Sequence, residues 1–234
     1  MDEKNHLLSV IVPVYNEDRT VLSVITQLIS LDADKEIIIV NDGSTDNTVE
    51  VLKSVQSPLI RIYSHEKNQG KGSAIRTGIK YARGGIIAVQ DADLEYSPDE
   101  LLTLIKPIRS DECDIVFGSR FMRKNPIIYR KFYYGNKLMS LTISLLTFKR
   151  ITDAYTCYKL FKREVIQSFP LSSRGFEIEA ELSVRVARSK YSLKEMPISY
   201  NPRKVNEGKK INWKDMIKGI STAVNVSFQC FFMR

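Results

Sequence analysis

The first half of the chain alternates regularly between short apolar runs and segments with helical spacing, and this alternation limits the fold more than any other feature. The apolar runs, rich in Val and Ile, cover residues 7–15, 35–42, 59–66, 85–93 and 113–120. Between them, apolar side chains recur at helical spacing in residues 18–31, 44–55, 70–83 and 97–108. Strands that alternate with helices pair in parallel, so the sequence predicts an α/β fold built around a parallel sheet.

The second half follows a less regular pattern. Residues 136–148 form an apolar stretch with helical character, and residues 191–204 resemble a strand. Neither a repeat nor a Pro/Gly/Ser-rich linker divides the 234 residues. We therefore predict one domain over residues 1–212, followed by a C-terminal amphipathic helix over residues 213–234.

Polar or glycine-bearing stretches follow each predicted strand of the first half. In chain order they read "PVYNE", "NDGSTD", "HEKNQGKG", "DADLE" and "GSR". Open α/β sheets bind their ligands at the carboxyl ends of the strands. The sequence therefore predicts a ligand site along this edge of the sheet.

Two acidic residues, Asp91 and Asp93, stand at the end of the fourth predicted strand. On a strand, residues i and i+2 point to the same side, so both carboxylates are expected to converge on one point, where a divalent cation is the natural occupant. The alternative is that Asp91 ends the strand and Asp93 caps the next turn. Asp42 ends the second strand and either accepts hydrogen bonds from a ribose or base, or belongs to an Asp-Gly turn.

The glycine-rich stretch "NQGKGSA" (68–74) lacks the spacing of a phosphate-binding P-loop and that of a dinucleotide-binding motif. It leaves Lys71 at the start of a predicted helix, a position that favours anions. The alternative is an ordinary turn that opens a helix.

Taken in order, "PVYNE", "NDGSTDNT", "NQGKGSAIRTGI", "DADLEYSPDEL" and "GSR" resemble the family 2 inverting glycosyltransferases of the GT-A fold, and the resemblance covers nearly the whole chain. Three later stretches resemble the subgroup that contains dolichyl-phosphate mannose synthase and dolichyl-phosphate glucosyltransferase: "ITDAYTCYKLFKRE", "GFEIEAEL" and "EMPISYNPRKVNEGKKINWKD". One departure is Tyr158, which stands where those synthases usually have a small residue before an aromatic one.

The resemblance implies roles for particular residues. The nucleoside would contact Pro13, Tyr15, Glu17 and Asp42. A Mg²⁺ or Mn²⁺ ion would be held by Asp91, Asp93 and Glu95, and the nucleotide would be backed by Ala92. Phosphates would face Arg120, Arg203 and Lys209, and the residues implied in the reaction itself are Asp93, Arg120 and Arg203. Lys71, at its helix start, is expected among the substrate-binding residues as well. Glu177 and Glu179 would lie on the acceptor side.

The activity implied is transfer of a hexose from GDP-mannose or UDP-glucose to a polyprenyl, dolichyl-type phosphate. Such a phosphate has a second pKa near ~6 and arrives as an anion, so it needs cationic docking rather than a base. Arg120, Arg130 and Lys131 are expected between the sheet and the helix at 136–148, unless they form an ordinary solvated face. The alternative acceptor, a hydroxyl of a polysaccharide or glycolipid, requires a carboxylate base, for which Glu177 and Glu179 are the candidates.

Charge and cysteine content bear on partners and location. The net charge of +8 favours an anionic partner, but no nucleic-acid motif is present, and a non-enzymatic nucleotide-binding module is the remote alternative. Three scattered cysteines and an N-terminus without a signal-peptide pattern predict a cytoplasmic protein. We expect the 136–148 segment and the C-terminal helix to place it on the cytoplasmic face of a membrane, or else to pack on the core or in a homodimer.

Overall fold

The computed structural model describes residues 7–203 and 213–232, and it contains one seven-stranded mixed sheet in the order β3-β2-β1-β4-β6-β5-β7. The strands are β1 (Leu8–Val14), β2 (Lys35–Asn41), β3 (Ile60–Ser64), β4 (Ile86–Val89), β5 (Ile115–Ser119), β6 (Lys159–Lys162) and β7 (Leu193–Pro197). The α-helices are α1 (Val21–Ser30), α2 (Thr48–Lys53), α3 (Lys71–Tyr81), α4 (Leu101–Leu104), α5 (Lys106–Arg109), α6 (Arg130–Thr147), α7 (Arg163–Ser168), α8 (Ile178–Arg188) and α9 (Trp213–Phe232).

The predicted parallel pairing holds for all the strands except β6. Strand β1 pairs in parallel with β2 and β4, and β2 pairs in parallel with β3. Strand β6 runs antiparallel between β4 and β5, and β7 completes the edge in parallel with β5. Strands β1 and β2 are almost wholly buried, because they lie within the sheet, and this burial explains their continuous apolar sequence.

Two predicted helices have different bounds in the structure. The segment predicted as one helix over 97–108 is divided into a 3₁₀ turn (Pro98–Glu100), α4 and α5. The break between α4 and α5 lies next to Pro107, which has no backbone N–H with which to continue the helical hydrogen bonds. Helix α6 begins at Arg130 rather than near residue 136, so Arg130 and Lys131 belong to its first turn. The prediction that they lie between the sheet and this helix is wrong.

The end of β4 corrects a third prediction. The strand stops at Val89, so Asp91 and Asp93 lie in the turn after it and do not share a strand face. Asp93 instead caps this turn, since its Oδ1 accepts the backbone N–H of Glu95 at 3.0 Å. Leu94 adopts a left-handed conformation in this turn (φ 60°), which is uncommon for a residue other than glycine.

The predicted C-terminal helix is present as α9, which packs against α6 and α8 and buries Ala223 and Val226. The division of the chain into a domain over residues 1–212 and a separate helix over 213–234 stays a prediction, and Lys209 lies outside the described residues. Among residues 7–203 and 213–232, no helix combines the length and the apolar character needed to cross a membrane.

Candidate active site

A cavity of about 330 Å³ opens where β1, β2 and β4 end. It brings together most of the predicted site residues. Those that line it are Pro13, Tyr15, Glu17, Asp42, Lys71, Asp91, Ala92, Asp93, Glu95, Arg120 and Arg203. Glu179 lines it as well, whereas Glu177, Arg130 and Lys131 do not. We refer to this space as the donor cavity.

The turn after β4 concentrates negative charge in the donor cavity. Burial, together with the charges of Asp91 and Glu95, raises the pKa of Asp93 to about 7. Such crowding of carboxylates is relieved by a bound cation, and oxygen donors suit Mg²⁺ and Mn²⁺. Within the described part of the chain, no three acidic, His or Cys side chains form a ready-made metal cluster. Asp91 and Asp93 are the residues that would hold such an ion, together with oxygens of a bound phosphate, the usual arrangement for Mg²⁺.

Two basic side chains currently neutralise these acids. The Nζ of Lys71 lies 2.8 Å from Asp91 Oδ1 and 3.1 Å from Glu179 Oε1. Arg203 contacts Glu17 Oε2 at 2.9 Å and Asp93 Oδ2 at 3.4 Å. Burial alone would lower the pKa of Lys71, but Asp91 and Glu179 raise it well above its ordinary value, so Lys71 is a permanent cation of the cavity.

Glu95, predicted as a third metal ligand, has a structural task. Its carboxylate accepts hydrogen bonds from the Tyr200 hydroxyl at 2.7 Å and from the Arg203 backbone N–H at 2.8 Å. These bonds hold the segment that carries Arg203 against the acidic turn. Its role toward a metal stays a prediction.

Asp42 organises the glycine-rich loop. Its Oδ1 lies 2.7 Å from His65 Nδ1 and accepts the Gln69 N–H, while its Oδ2 accepts the Gly70 N–H. The second ring nitrogen of His65 lies 2.9 Å from Thr77 Oγ1. Asp42 thus shapes the side of the cavity next to the glycine-rich loop, and most of its acceptor capacity is already in use. His65 does not line the cavity, and its support of Asp42 was not predicted, because the two residues follow different strands.

Arg120 marks the border between the donor cavity and a second cavity of about 560 Å³. Its guanidinium forms a two-point ion pair with Asp153, at 2.7 Å and 2.8 Å, and stacks 5.1 Å from the centre of the Tyr200 ring. Tyr200 also lines both cavities. The second cavity, called the acceptor cavity below, is otherwise lined by residues 121–129, Phe132, Tyr133 and Pro202.

Both candidate bases are engaged in ion pairs in this arrangement. Glu177 accepts the N–H groups of Arg174 and Gly175 and pairs with Lys218 at 2.9 Å. Burial raises the pKa of Glu177, but Lys218 and Gly175 more than offset it, so this pKa lies below its ordinary value. Glu179 is held between two lysines, Lys71 and Lys159.

Sequence reasoning also missed several aromatic and polar wall residues of the donor cavity. Among these are Asn136, Tyr155, Phe176 and Tyr200. The three aromatic residues lie inside the stretches "DAYT", "GFEIE" and "ISYNPRK", where a charged residue stands within three positions of the aromatic one. This proximity is a weak signal, and it was the one the sequence offered.

Residues 9–169 match the profile described as Glycosyl transferase family 2. The chain belongs to this family. The predicted family resemblance and the prediction that the protein is a glycosyltransferase are confirmed. A non-enzymatic binding module is thereby excluded.

Three proteins of known activity resemble this glycosyltransferase along most of its length. It is 32% identical over 215 residues to the UDP-N-acetylglucosamine–dolichyl-phosphate N-acetylglucosaminyltransferase of Methanococcus voltae, covering 82% of this chain and 84% of that protein. It is 30% identical over 228 residues to the dolichyl-phosphate β-glucosyltransferase of Saccharomyces cerevisiae (86% and 68% covered). It is 29% identical over 209 residues to the dolichol-phosphate mannosyltransferase of Pyrococcus furiosus (86% and 58% covered).

The same fold occurs in solved structures. Glucosyl-3-phosphoglycerate synthase from Mycobacterium tuberculosis, in complex with Mn²⁺, uridine diphosphate and glucosyl-3-phosphoglycerate, superposes with a TM-score of 0.72, covering 95% of this chain and 80% of that one at 19% identity. Mannosyl-3-phosphoglycerate synthase from Rubrobacter xylanophilus superposes with a TM-score of 0.70, covering 97% and 74% at 17% identity. These similarities confirm the predicted GT-A fold.

Proposed function

We propose that this glycosyltransferase transfers a sugar from a nucleoside diphosphate sugar to a polyprenyl, dolichyl-type phosphate, with inversion and with Mg²⁺ or Mn²⁺. GDP-mannose and UDP-glucose are the donors expected from the sequence. The name of the Methanococcus relative adds UDP-N-acetylglucosamine as a third donor to be tested.

The observation that carries the proposal is that the donor cavity and the acceptor cavity adjoin and are lined by different kinds of residue. The donor cavity and the acceptor cavity share Arg120 and Tyr200 as a common wall. The acceptor cavity combines cationic side chains with apolar ones, among them Arg123, Lys124 and Ile127. A lipid phosphate needs this combination, because its anion requires positive charge and its chain requires apolar surface.

The residues around the donor cavity suit the departure of a nucleoside diphosphate. A divalent ion, when bound by Asp91 and Asp93, supplies positive charge to the leaving diphosphate. Arg203, held by Glu17 and by the backbone bond to Glu95, adds a fixed positive charge near the same acids. Preorganised charges of this kind stabilise the charge that develops as a bond breaks.

The paired state of Glu177 and Glu179 favours the phosphate acceptor over a hydroxyl. A hydroxyl acceptor needs a carboxylate with free acceptor capacity near ~3 Å. Both carboxylates are engaged with lysines. An ionised phosphate attacks without such a base.

We also propose contact with a membrane surface through one face of α6. Its exposed apolar residues recur every three or four positions and so form a single stripe; they are Tyr134, Leu138, Leu141 and Leu145, and the exposed Phe148 follows directly after the helix. Arg130 and Lys131, both exposed, stand at the start of the same helix, next to residues that line the acceptor cavity. Basic residues beside an apolar stripe match an anionic lipid surface, and a second copy of the chain is the competing occupant.

The decisive experiment compares two acceptors that differ only in the phosphate. Labelled UDP-glucose, UDP-N-acetylglucosamine and GDP-mannose are each incubated with polyprenyl phosphate or with the corresponding polyprenol, in Mn²⁺ or Mg²⁺, and the product is extracted into organic solvent. We expect label in the lipid with polyprenyl phosphate alone and loss of transfer with a chelator. Transfer to polyprenol but not to its phosphate contradicts the proposed acceptor, and undiminished transfer with the chelator contradicts the metal.

A further inference from the structure

Four charged side chains of alternating sign lead from the interior to the donor cavity. Lys159 contacts Glu179, Glu179 contacts Lys71, and Lys71 contacts Asp91. The exposed fractions of these side chains rise in that order, from 1% for Lys159 through 6% and 13% to 20% for Asp91. The row therefore has a buried end and a cavity end.

The buried end is fixed. The ammonium of Lys159 also donates to the backbone carbonyls of Ala154, at 3.1 Å, and Thr156, at 2.7 Å. Its three N–H groups thus have three acceptors. Glu179 consequently keeps one oxygen on Lys159 and presents the other to Lys71.

The backbone at the start of α3 holds Lys71 within reach of Glu179. A Cβ on Gly70 would lie 2.4 Å from the carbonyl oxygen of Arg174, and one on Gly72 would lie 2.6 Å from that of Ser173. Gly70 also has a φ of 98°, which favours glycine. The Gly-Lys-Gly sequence thus lets the start of α3 approach the loop before α8, the helix that carries Glu179. This close contact explains the two glycines, which do not have the spacing of a P-loop.

We infer that Lys71 is a tethered counter-ion: it neutralises Asp91 until a divalent ion takes that carboxylate, and Glu179 then keeps the released ammonium at the cavity wall. This inference rests on the proposed metal-dependent function. Lys71 contacts both oxygens of Asp91, at 2.8 Å and 2.9 Å, so the ion and the ammonium compete for the same atoms. Glu179 touches no reacting group in this scheme and is a positioning residue.

The test is Mn²⁺ binding by the full chain, measured from the electron paramagnetic resonance signal of free Mn²⁺, first alone and then with UDP or GDP. Lys71→Met removes the competitor, so we expect Mn²⁺ to bind about tenfold more tightly. Sugar transfer should fall in the same variant, because the retained ammonium is lost. If Lys71 had a purely structural role, replacing it would not raise the affinity for Mn²⁺.

Glu179→Gln should have the opposite effect on Mn²⁺, because Lys71 is then left with Asp91 as its only carboxylate in the row. If Glu179 acts through Lys71, the double variant Lys71→Met/Glu179→Gln has the Mn²⁺ affinity of Lys71→Met. An affinity well below that value overturns the positioning role. Should Glu179→Gln fail to fold, Lys71→Met alone decides the inference.

Two matched controls remove the same charges elsewhere. Lys80→Met changes an exposed lysine on the same helix, and Glu164→Gln changes an exposed glutamate in the first turn of α7. Both should leave Mn²⁺ affinity within about twofold of the wild type. If the wild type binds no Mn²⁺ even with nucleotide, the proposed metal-dependent function fails. If it binds Mn²⁺ and Lys71→Met binds it no more tightly, the counter-ion inference alone is overturned.

Discussion

Among single residues, Asp93 is a buried carboxylate that is unfavourable to ionise and that we propose as a metal ligand. Its pKa, raised to about 7 by burial and by Asp91 and Glu95, shows that the ionised form is disfavoured in the absence of a cation. Asp93→Asn should therefore lower sugar transfer by about 10²-fold or more, the effect of removing one preorganised electrostatic contact. At pH 8 its melting temperature should be no lower than that of the wild type, because the substitution relieves repulsion between carboxylates.

Asp99→Asn provides the control for this substitution, since Asp99 is an exposed carboxylate in the 3₁₀ turn that follows. Its transfer rate should equal that of the wild type. A folded Asp93→Asn protein with the native rate would exclude Asp93 from the reaction.

Glu181 makes stability depend on pH through a buried network. Its carboxylate is fully buried, accepts the N–H of Ser173 at 2.8 Å and pairs with Arg185 at 2.9 Å. Burial raises the pKa of Glu181, but Ser173, Ser172 and Arg185 together lower it below its ordinary value. Because the folded-state pKa is lowered, its contribution is present above the unfolded-state pKa of about 4.3 and is lost as the pH falls.

We expect Glu181→Gln to lower the free energy of unfolding at pH 7 by about 3 kcal/mol, because Arg185 is left buried without its partner. The difference from the wild type should stay constant between pH 6 and 8 and shrink below about pH 4. Urea denaturation at several pH values measures it, with exposed Glu66→Gln as the control. An equal difference at pH 3 and pH 7 would contradict the ionised role.

The types of the site residues could be predicted from the sequence, but their partners could not. Acidic and glycine-bearing strand ends meet at one edge of any parallel sheet, so the donor cavity followed from the alternation alone. Arg120 meets Asp153 across 33 positions, and Glu17 meets Arg203 across 186. Such pairs depend on how whole elements pack against one another, and local sequence patterns do not predict that packing.

At the scale of elements, α9 reaches the donor cavity through Tyr155. The Tyr155 hydroxyl lies against the backbone of Gly219, where an added Cβ would be only 1.8 Å away. Gly135 in α6 is a matched position, because a Cβ there would meet nothing closer than the Met216 sulfur at 3.8 Å. The two glycines thus have the same intrinsic helix propensity and different surroundings.

Gly219→Ala should therefore destabilise the protein by about 1–3 kcal/mol, the cost of overpacking, and raise the KM for the sugar nucleotide by displacing Tyr155. Gly135→Ala should stabilise it by about 0.5–1 kcal/mol, the usual gain of alanine over glycine in a helix. Thermal unfolding and initial-rate kinetics measure both. Equal effects of the two substitutions would show that α9 does not press on Tyr155.

Elements differed in how well the sequence predicted them. Strands β1, β2 and β4 are apolar along almost their whole length and are followed by polar residues, and these strands, β3 and the helices between them were predicted. Strand β6 is as short as β4, but it was not predicted, because it has a lysine at each end. Lys159 is nevertheless buried, since carbonyls and Glu179 satisfy its ammonium. Tertiary contacts there override the local preference of the residue.

For the whole molecule, the stripe on α6 determines the proposed binding to a membrane. The double substitution Leu141→Lys/Leu145→Lys should abolish flotation with anionic vesicles. Each leucine is expected to raise the affinity for the membrane about tenfold, because its apolar surface is buried in the lipid. Raising the salt concentration should weaken wild-type binding, since the basic residues beside the stripe are screened. The folded state should persist, because both side chains are more than half exposed, at 56% and 67%.

Leu22→Lys/Ile29→Lys on α1 is the matched control, with exposed apolar side chains of 49% and 37% on a helix away from the stripe. This variant should float like the wild type. Unchanged flotation of the α6 variant would contradict the membrane proposal. A wild-type dimer that the α6 substitutions convert to a monomer, without vesicle binding, would assign the stripe to a second copy of the chain.

The position of β6 in the sheet also determines which strands can pair before synthesis of the chain is complete. Strand β5 is bordered by β6 and β7, both later in the chain, whereas β1 to β4 already form a continuous set. A nascent polypeptide that has left the ribosome only as far as Ser119 can assemble β3-β2-β1-β4, but β5 then has no neighbour among the described strands. Unpaired strand edges attract other chains. Between the synthesis of Ser119 and that of Lys162, β5 and one edge of β4 therefore lack the neighbour that β6 gives them in the folded protein.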